Sequence, residues 1–359
     1  MESLNKLVNS NNKSEGNVAV ILTGGTIICS YDADTKLSTP SLHINDLLYR
    51  LPKSAFCGEI HAEELFYMQG TELTLEHGLA IACRLRSLLE DPAICGAVVL
   101  QGTDTLDEIA YLCSLLIGTN AEDSAKATSS FPWYQKPVVF TGAMKSNNEL
   151  CSDGISNLAG ALKVASSKEA SGKGVLVYMN QQILSARDVE KTHSNRIDAF
   201  SSVCGPLGTV ENNIVRFFRS PVTEKTFPEL LTMPSSADLL PQDIYILKSY
   251  AGMDDRLLRA CVSFPAKGII IEGLGAGNVQ PPVVPALTDA IAKGIPVIIT
   301  SRCFGGAAFG TYDYTGGGAD LLKRGAIFAC GLSSQKARIK LSVLIAAGVE
   351  PDALSSYFQ

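Results

Sequence analysis

Two short segments, Thr23-Gly24-Gly25-Thr26 and Gln101-Gly102-Thr103-Asp104-Thr105, set a threonine hydroxyl directly after glycine, and each follows an unbroken apolar run. A threonine hydroxyl is a weak nucleophile that becomes useful only when a neighbouring base takes its proton. Asp104 adjoins Thr103, and the segment "ARDVEKTHS" supplies Lys191. A desolvated lysine beside a carboxylate can relay a proton to or from a hydroxyl. Glycine lets main chain approach a ligand closely and leaves N–H groups to bind it, so Gly25 and Gly102 join the set. Thr26, Thr103, Asp104 and Lys191 together are suited to nucleophilic chemistry at a carbonyl.

Each of these residues has a plainer use when taken singly. A threonine at a strand end most often caps a helix or closes a turn, and Thr105, with Glu108 three positions on, is read as a capping box. Asp104 alone would favour a helix N-terminus, and Lys191 alone would be a solvated charge. Two glycine-threonine steps at neighbouring strand ends are harder to explain as independent caps. Phosphate binding is the rival use of a glycine-rich turn. It fares poorly, because "TGGTIICS" lacks the lysine of a phosphate loop and "GLGAGN" (Gly273 to Asn278) runs into prolines where a dinucleotide helix should begin.

These residues need strands to deliver them. Apolar runs "VAVIL", "AVVL", "PVVF", "GVLVYM", "DIYIL", "GIIIEG" and "IPVIIT" read as buried strands of a mainly parallel sheet. Helical periodicity follows most of them, in "TLDEIAYLCSLLI", "LEHGLAIACRLRSLL", "DGISNLAGALKVASS", "PALTDAIAKG" and "SSQKARIKLSVLIAAG". The alternation predicts a doubly wound α/β fold, whose ligands bind beyond the carboxyl ends of the strands. A third such end, Thr141-Gly142-Ala143-Met144-Lys145, belongs to the same group. Pro221, Pro228, Pro234 and Pro241 break the pattern, so the expected organisation is a polar segment 1–16 able to be disordered, a domain over 17–219, a linker over 220–242 and a smaller α/β domain over 243–359.

Composition narrows the function classes. A net charge of −6 lacks the cationic excess that phosphate neutralisation requires, so nucleic acid is not an expected partner. Neither a signal peptide nor a run of the ~20 apolar residues that cross a bilayer is present, and no membrane partner is expected. The ten cysteines are scattered without CxxC spacing, and the four histidines form no HExxH pair, so the expectation is a reducing cytoplasm with neither metal nor other cofactor.

The segments "TGGTI", "QGTDTLDEIAY", "TGAM", "DGISNL" and "ARDVEKTHS", in that order, resemble the bacterial-type L-asparaginase and glutaminase-asparaginase family. The likeness runs from Asn17 to about Gln359 and includes "GPLGTV" and the C-terminal "GLSSQKARIKLSVLIAAG". It implies a large N-terminal α/β domain with a smaller C-terminal one, in a homotetramer of intimate dimers with active sites between partners. Matched residue by residue, the resemblance makes Thr26 the primary nucleophile, Thr103 the second catalytic threonine, Asp104 the binder of the substrate α-amino group and Lys191 the catalytic lysine.

Three positions depart from the family pattern. Leu37 stands near the place of a loop tyrosine that the family sets against the nucleophile, leaving Tyr31 or a residue from elsewhere to activate Thr26. Gly70 stands where a serine holds the substrate carboxylate, with Thr71 beside it; an ordinary loop ahead of a helix capped near Thr74 is the plainer reading there. Gly252 stands where some members contribute an asparagine to the neighbouring site.

What the resemblance implies is hydrolysis of L-asparagine to aspartate and ammonia through an acyl-enzyme on Thr26, with Gly25, Gly70, Thr71, Gly102, Thr103 and Asp104 binding the substrate. The alternatives are dual activity on glutamine and a non-catalytic amino-acid sensor that keeps the fold. An amidotransferase subunit acting for tRNA-bound glutamate is set aside, because about 16 polar residues stand where its extra N-terminal domain would be; a dehydrogenase is remoter still.

Overall fold

The computed structural model of the chain describes residues 16–117, 133–233, 239–264 and 266–359. Residues 1–15 of the polar N-terminal segment and Pro234 of the linker lie outside them. Two compact units divide between Thr226 and Phe227.

The first unit is built on an eight-stranded sheet. Five parallel strands form its functional half: β1 (Asn17–Gly24), β4 (Ile60–Met68), β5 (Ile94–Leu100), β6 (Val138–Thr141) and β7 (Val175–Met179), in the spatial order β7-β6-β5-β1-β4. Antiparallel strands β8 (Gln182–Ser185), β11 (Gly208–Glu211) and β12 (Ile214–Phe217) extend the sheet beyond β7. β1 is apolar on both faces because both are covered. Val18, Val20 and Leu22 share a core cluster with Leu158 and Leu162 of the helix Gly154–Ser166 and with Ile44 and Leu47 of the helix Ile44–Arg50. Strand alternation turns Ala19 and Ile21 to the other face, and both are fully buried.

β4 carries no apolar run and is absent from the strands read in the sequence. It is the sheet's edge, and its sequence "IHAEELFYM" mixes acids with apolar residues. The acids are used: Arg84 donates to both Glu63 oxygens at 2.7 and 2.6 Å, and the Ile44 N–H donates to Glu64 Oε1 at 2.7 Å. Two small hairpins also lie outside the sequence reading, β2 (Cys29–Asp32) with β3 (Leu37–Pro40), and β9 (Val189–Lys191) with β10 (Phe200–Ser202).

The second unit holds a wholly parallel four-stranded sheet, β13 (Ile244–Lys248), β14 (Gly268–Gly273), β15 (Val297–Ser301) and β16 (Ile327–Phe328), side by side in chain order. Its core joins Ile269, Ile271, Val297 and Ile299 to Leu287 and Ala290 of the helix Val284–Ala292. The "GLGAGN" segment is a turn in which the Leu274 N–H donates to the Asn278 carbonyl at 2.8 Å, followed by a 3₁₀ turn over Pro281–Val283. All ten cysteines are free thiols, and among the described residues no helix is long and apolar enough to cross a membrane.

Candidate active site

β4, β1 and β5 are parallel neighbours, so their carboxyl ends open on one edge of the sheet, with Leu22 opposite Leu100 and Gly24 opposite Met68. Past those ends come Gly70 and Thr71, then Thr26, then Thr103 and Asp104. Three glycines draw the turns together. A Cβ on Gly25, whose φ is +91°, would lie 2.3 Å from the Gly102 Cα, and one on Gly102 would lie 2.8 Å from the Gly70 nitrogen. The turns therefore meet main chain on main chain, at separations no side chain permits.

Thr26 opens a short 3₁₀ turn, Thr26–Ile28, anchored by the buried Ile27 and Ile28 and by an Ile28 N–H bond to the Gly25 carbonyl at 3.1 Å. Thr26 itself is half-buried, and its hydroxyl makes no hydrogen bond to another described residue. The neighbouring Cys29 is no rival nucleophile: burial pushes its thiol up, and its Sγ donates to the Gly25 carbonyl at 3.5 Å.

Thr103 is 5% exposed. Its hydroxyl accepts from Lys191 Nζ at 2.8 Å, and the same ammonium donates to Asp104 Oδ1 at 2.7 Å. The Lys191 side chain is 14% exposed while that of Asp104 is 62% exposed, so the cation is sheltered and its carboxylate opens outward. Lys191 ends β9, where it pairs with Phe200 of β10. Its own N–H donates to Asp107 Oδ2 at 3.1 Å, tying that hairpin to the helix Leu106–Ile117.

The third strand end is held from below. Asp153 Oδ1 accepts from the N–H groups of Met144 and Lys145, each at 3.0 Å, while Asn157 Nδ2 donates to the Gly142 carbonyl at 3.0 Å and to Asp153 Oδ2 at 2.9 Å. A Cβ on Gly142 would sit 2.4 Å from the Gln101 oxygen, so this turn buttresses the one bearing Thr103. Asp153 and Asn157 entered the sequence reading only as letters of a motif. Nothing local in the sequence signals their use, because Asp153 makes no cap to its own helix and its N–H partners lie eight and nine residues upstream.

Gly70 is buried and Thr71 exposed, in a turn ahead of the helix Leu75–Leu89, which Thr74 caps. The capping box read from sequence at Thr105 is replaced by other bonds: the Glu108 N–H donates to Asp107 Oδ1 at 3.1 Å, leaving the Thr105 hydroxyl for a partner on another turn. Thr105 precedes Leu106 and its carbonyl accepts the Ile109 N–H at 3.0 Å, but its hydroxyl reaches across to the Gly70 carbonyl at 2.8 Å. Tyr31 lies on the β2–β3 hairpin, where its N–H donates to Asn148 Oδ1 at 2.7 Å and its carbonyl accepts from Asn148 Nδ2 at 2.8 Å. Its phenol makes no hydrogen bond to Thr26, and Leu37 is exposed beside the turn at the tip of the hairpin. Gly252, in the second unit, takes a φ of +80° in a turn. Among the described residues no group of three or more His, Cys, Asp or Glu side chains could hold a metal ion.

An uncommitted hydroxyl on one turn, a hydroxyl–ammonium–carboxylate chain on the next and main-chain N–H groups between them can attack a carbonyl, move a proton and hold an α-amino acid by its charged ends. Comparison with known proteins gives the family. A family model described as asparaginase, N-terminal, matches residues 17–223, and one for the glutaminase/asparaginase C-terminal domain matches 243–358. The chain is 31% identical over 353 residues to L-asparaginase 2 of Bacillus subtilis, covering 97% of this chain and 88% of that one. It is 32% identical over 289 residues to the glutaminase-asparaginase of Pseudomonas aeruginosa, covering 80% and 75%. The crystal structure of a probable cytoplasmic L-asparaginase from Campylobacter jejuni superposes with a TM-score of 0.79 at 30% identity, covering 96% of this chain and 99% of that one. With both halves of the chain matched by its models, the chain belongs to the asparaginase family.

Proposed function

We propose that the protein hydrolyses the side-chain amide of L-asparagine to give L-aspartate and ammonia. The observation that carries this reading is the Lys191 ammonium shared between the Thr103 hydroxyl and the Asp104 carboxylate, on the strand end next to Thr26. Thr26 Oγ attacks the amide carbonyl, and its proton is passed to the amide nitrogen, which leaves as ammonia. The C–N bond breaks as the ester to Thr26 forms. Water then adds to the ester while Thr103 Oγ, held by the Lys191 ammonium, takes one of its protons and hands its own to Thr26 Oγ, and the ester C–O bond breaks as aspartate leaves.

Main-chain N–H groups at the glycine turns hold the oxyanion, each such donor contributing roughly 10²-fold to 10³-fold in rate. Asp104 binds the α-ammonium, while the Gly70 and Thr71 turn binds the α-carboxylate, with Gly25 and Gly102 keeping the walls close. Holding both charged ends fixes the amide against Thr26. Tyr31, on the hairpin that starts three residues after Thr26, is our candidate activator. We also propose a cytoplasmic enzyme that needs no cofactor and assembles as a dimer or as a tetramer of intimate dimers.

Glutamine is a second substrate to test, because relatives in Pseudomonas carry the name glutaminase-asparaginase. The experiment is ammonia release from L-Asn, L-Gln and D-Asn by the wild type and by Thr26→Ala. We expect L-Asn turnover to vanish in the variant with its fold intact. Turnover retained by folded Thr26→Ala refutes the assignment, and asparagine binding without ammonia release would favour a sensor.

A further inference from the structure

We propose that Thr105 is a positioning residue: by holding the Gly70 carbonyl, it aims the Gly70–Thr71 peptide at the carboxylate of the bound amino acid. The inference rests on the asparagine reading above, which puts that carboxylate at this turn.

The Gly70 carbonyl has two donors of unequal quality. The Leu73 N–H, which would fix it from within the turn, stands 3.4 Å away, whereas the Thr105 hydroxyl stands at 2.8 Å. The shorter bond comes from a residue 35 positions along the chain, on the turn that carries Thr103 and Asp104. A trans peptide is planar, so its carbonyl and the N–H of the next residue point in opposite directions. Pinning the Gly70 oxygen onto Thr105 therefore sets the direction of the Thr71 N–H. A glycine at the pivot cannot resist rotation with a side chain of its own, so the restraint has to come from outside.

The hydroxyl has one proton, and giving it to Gly70 leaves only lone pairs for other partners. Gln101 meets that condition. It is fully buried, its Nε2 lies 3.4 Å from Thr105 Oγ, and its Oε1 has no hydrogen-bond partner among the described residues. The reverse amide orientation would set Oε1 against the oxygen of a hydroxyl whose proton is already committed. Gln101 thus leaves its own oxygen unpartnered in the orientation that suits Thr105.

The relation has a direct consequence for recognition. Asp104 and Thr105 are adjacent in sequence, so the group assigned to the substrate ammonium and the group that aims the carboxylate donor sit on one rigid helix start. Their separation is the ruler for an α-amino acid. The close Gly70–Gly102 approach, 3.3 Å from a Cβ on Gly70 to the Gly102 carbonyl carbon and oxygen, leaves the turn no slack to compensate.

The test compares Thr105→Val, which keeps the shape and loses the proton, with Thr105→Ser, which keeps the hydroxyl, reading KM and kcat for L-asparagine separately beside the melting temperature. The expected result is a KM about tenfold higher in T105V with kcat within threefold of wild type, and both values within twofold in T105S. An unchanged KM in folded T105V, or a T105S variant as impaired as T105V, overturns the inference. Should T105V not fold, Gln101→Met removes only the outer bond and is expected to raise KM two- to threefold, an unchanged KM again being fatal. A wild-type protein that releases no ammonia from asparagine instead sinks the functional reading, and this inference with it.

Discussion

Lys191 donates from Nζ to the Thr103 hydroxyl at 2.8 Å, joining residues 88 positions apart in the chain. Neither could be assigned a partner from its own surroundings in sequence. Their meeting depends on a three-residue strand, β9, pinned by Asp107 to the helix that follows Thr103.

Lys191→Met should lower kcat for asparagine by roughly 10²-fold to 10⁴-fold, the range for losing a positioned proton-transfer group. Lys191→Arg should not rescue it, because a broad planar guanidinium does not reproduce the compact ammonium that reaches both Thr103 and Asp104. Ammonia release alongside thermal melting checks both points; a K191M enzyme within tenfold of wild type contradicts the relay.

Asp104→Asn should act mainly on KM. Losing a hydrogen bond to a charged group costs about 1.5–3 kcal/mol, or roughly ten- to a hundredfold in affinity for the α-ammonium. Since the Asp104 side chain is largely exposed, the melting temperature should hardly move. Steady-state kinetics with L-asparagine settle the matter, and a change confined to kcat would assign Asp104 another role.

Gly25→Ala should damage fold and activity together. The new methyl group would meet Gly102 main chain at 2.3 Å in a backbone conformation with φ at +91° that alanine resists. A loss of at least ~2 kcal/mol, or ~4–8 °C in melting temperature for a unit of this size, is the expected scale. A calorimetric scan showing an unshifted transition would mean the three turns are less closely packed than described.

Tyr178 gives a prediction at alkaline pH. Burial pushes its phenol up from 10.0 to about 12, and the residue is 3% exposed, with the Gly160 backbone against its ring. The folded state holds this proton more tightly than the unfolded state. Its contribution is therefore complete below pH ~10 and is lost as pH rises towards ~12, by up to roughly 2–3 kcal/mol. Denaturant unfolding at pH 8, 10 and 11 should show Tyr178→Phe losing less stability than wild type over that interval; parallel losses would rule the phenol out.

The apolar runs of β1, β5, β6, β7 and β14 were legible because both faces of each strand are covered, so burial wrote itself as an unbroken hydrophobic string. β4 was not, because an edge strand can afford Glu63 and Glu64 where Arg84 and a helix N–H receive them. The same limit hid part of the site. Thr26 and Thr103 followed from glycine-hydroxyl steps at strand ends, but the bond from Thr105 to Gly70 joins two turns whose adjacency exists only once β4 has docked on β1. Likewise β9 and β10 are too short to show a period, so nothing local announced where Lys191 would point.

Gly25, Gly70 and Gly102 touch through atoms that every residue possesses, leaving no rotamer to adjust along that seam. Retuning the amide preference by laboratory evolution would therefore fail there and succeed, if anywhere, one step outward. The hairpin beyond Ser30 faces solvent, so a library confined to it samples new amide specificities while the seam and the groups assigned to the substrate's charged ends stay as they are.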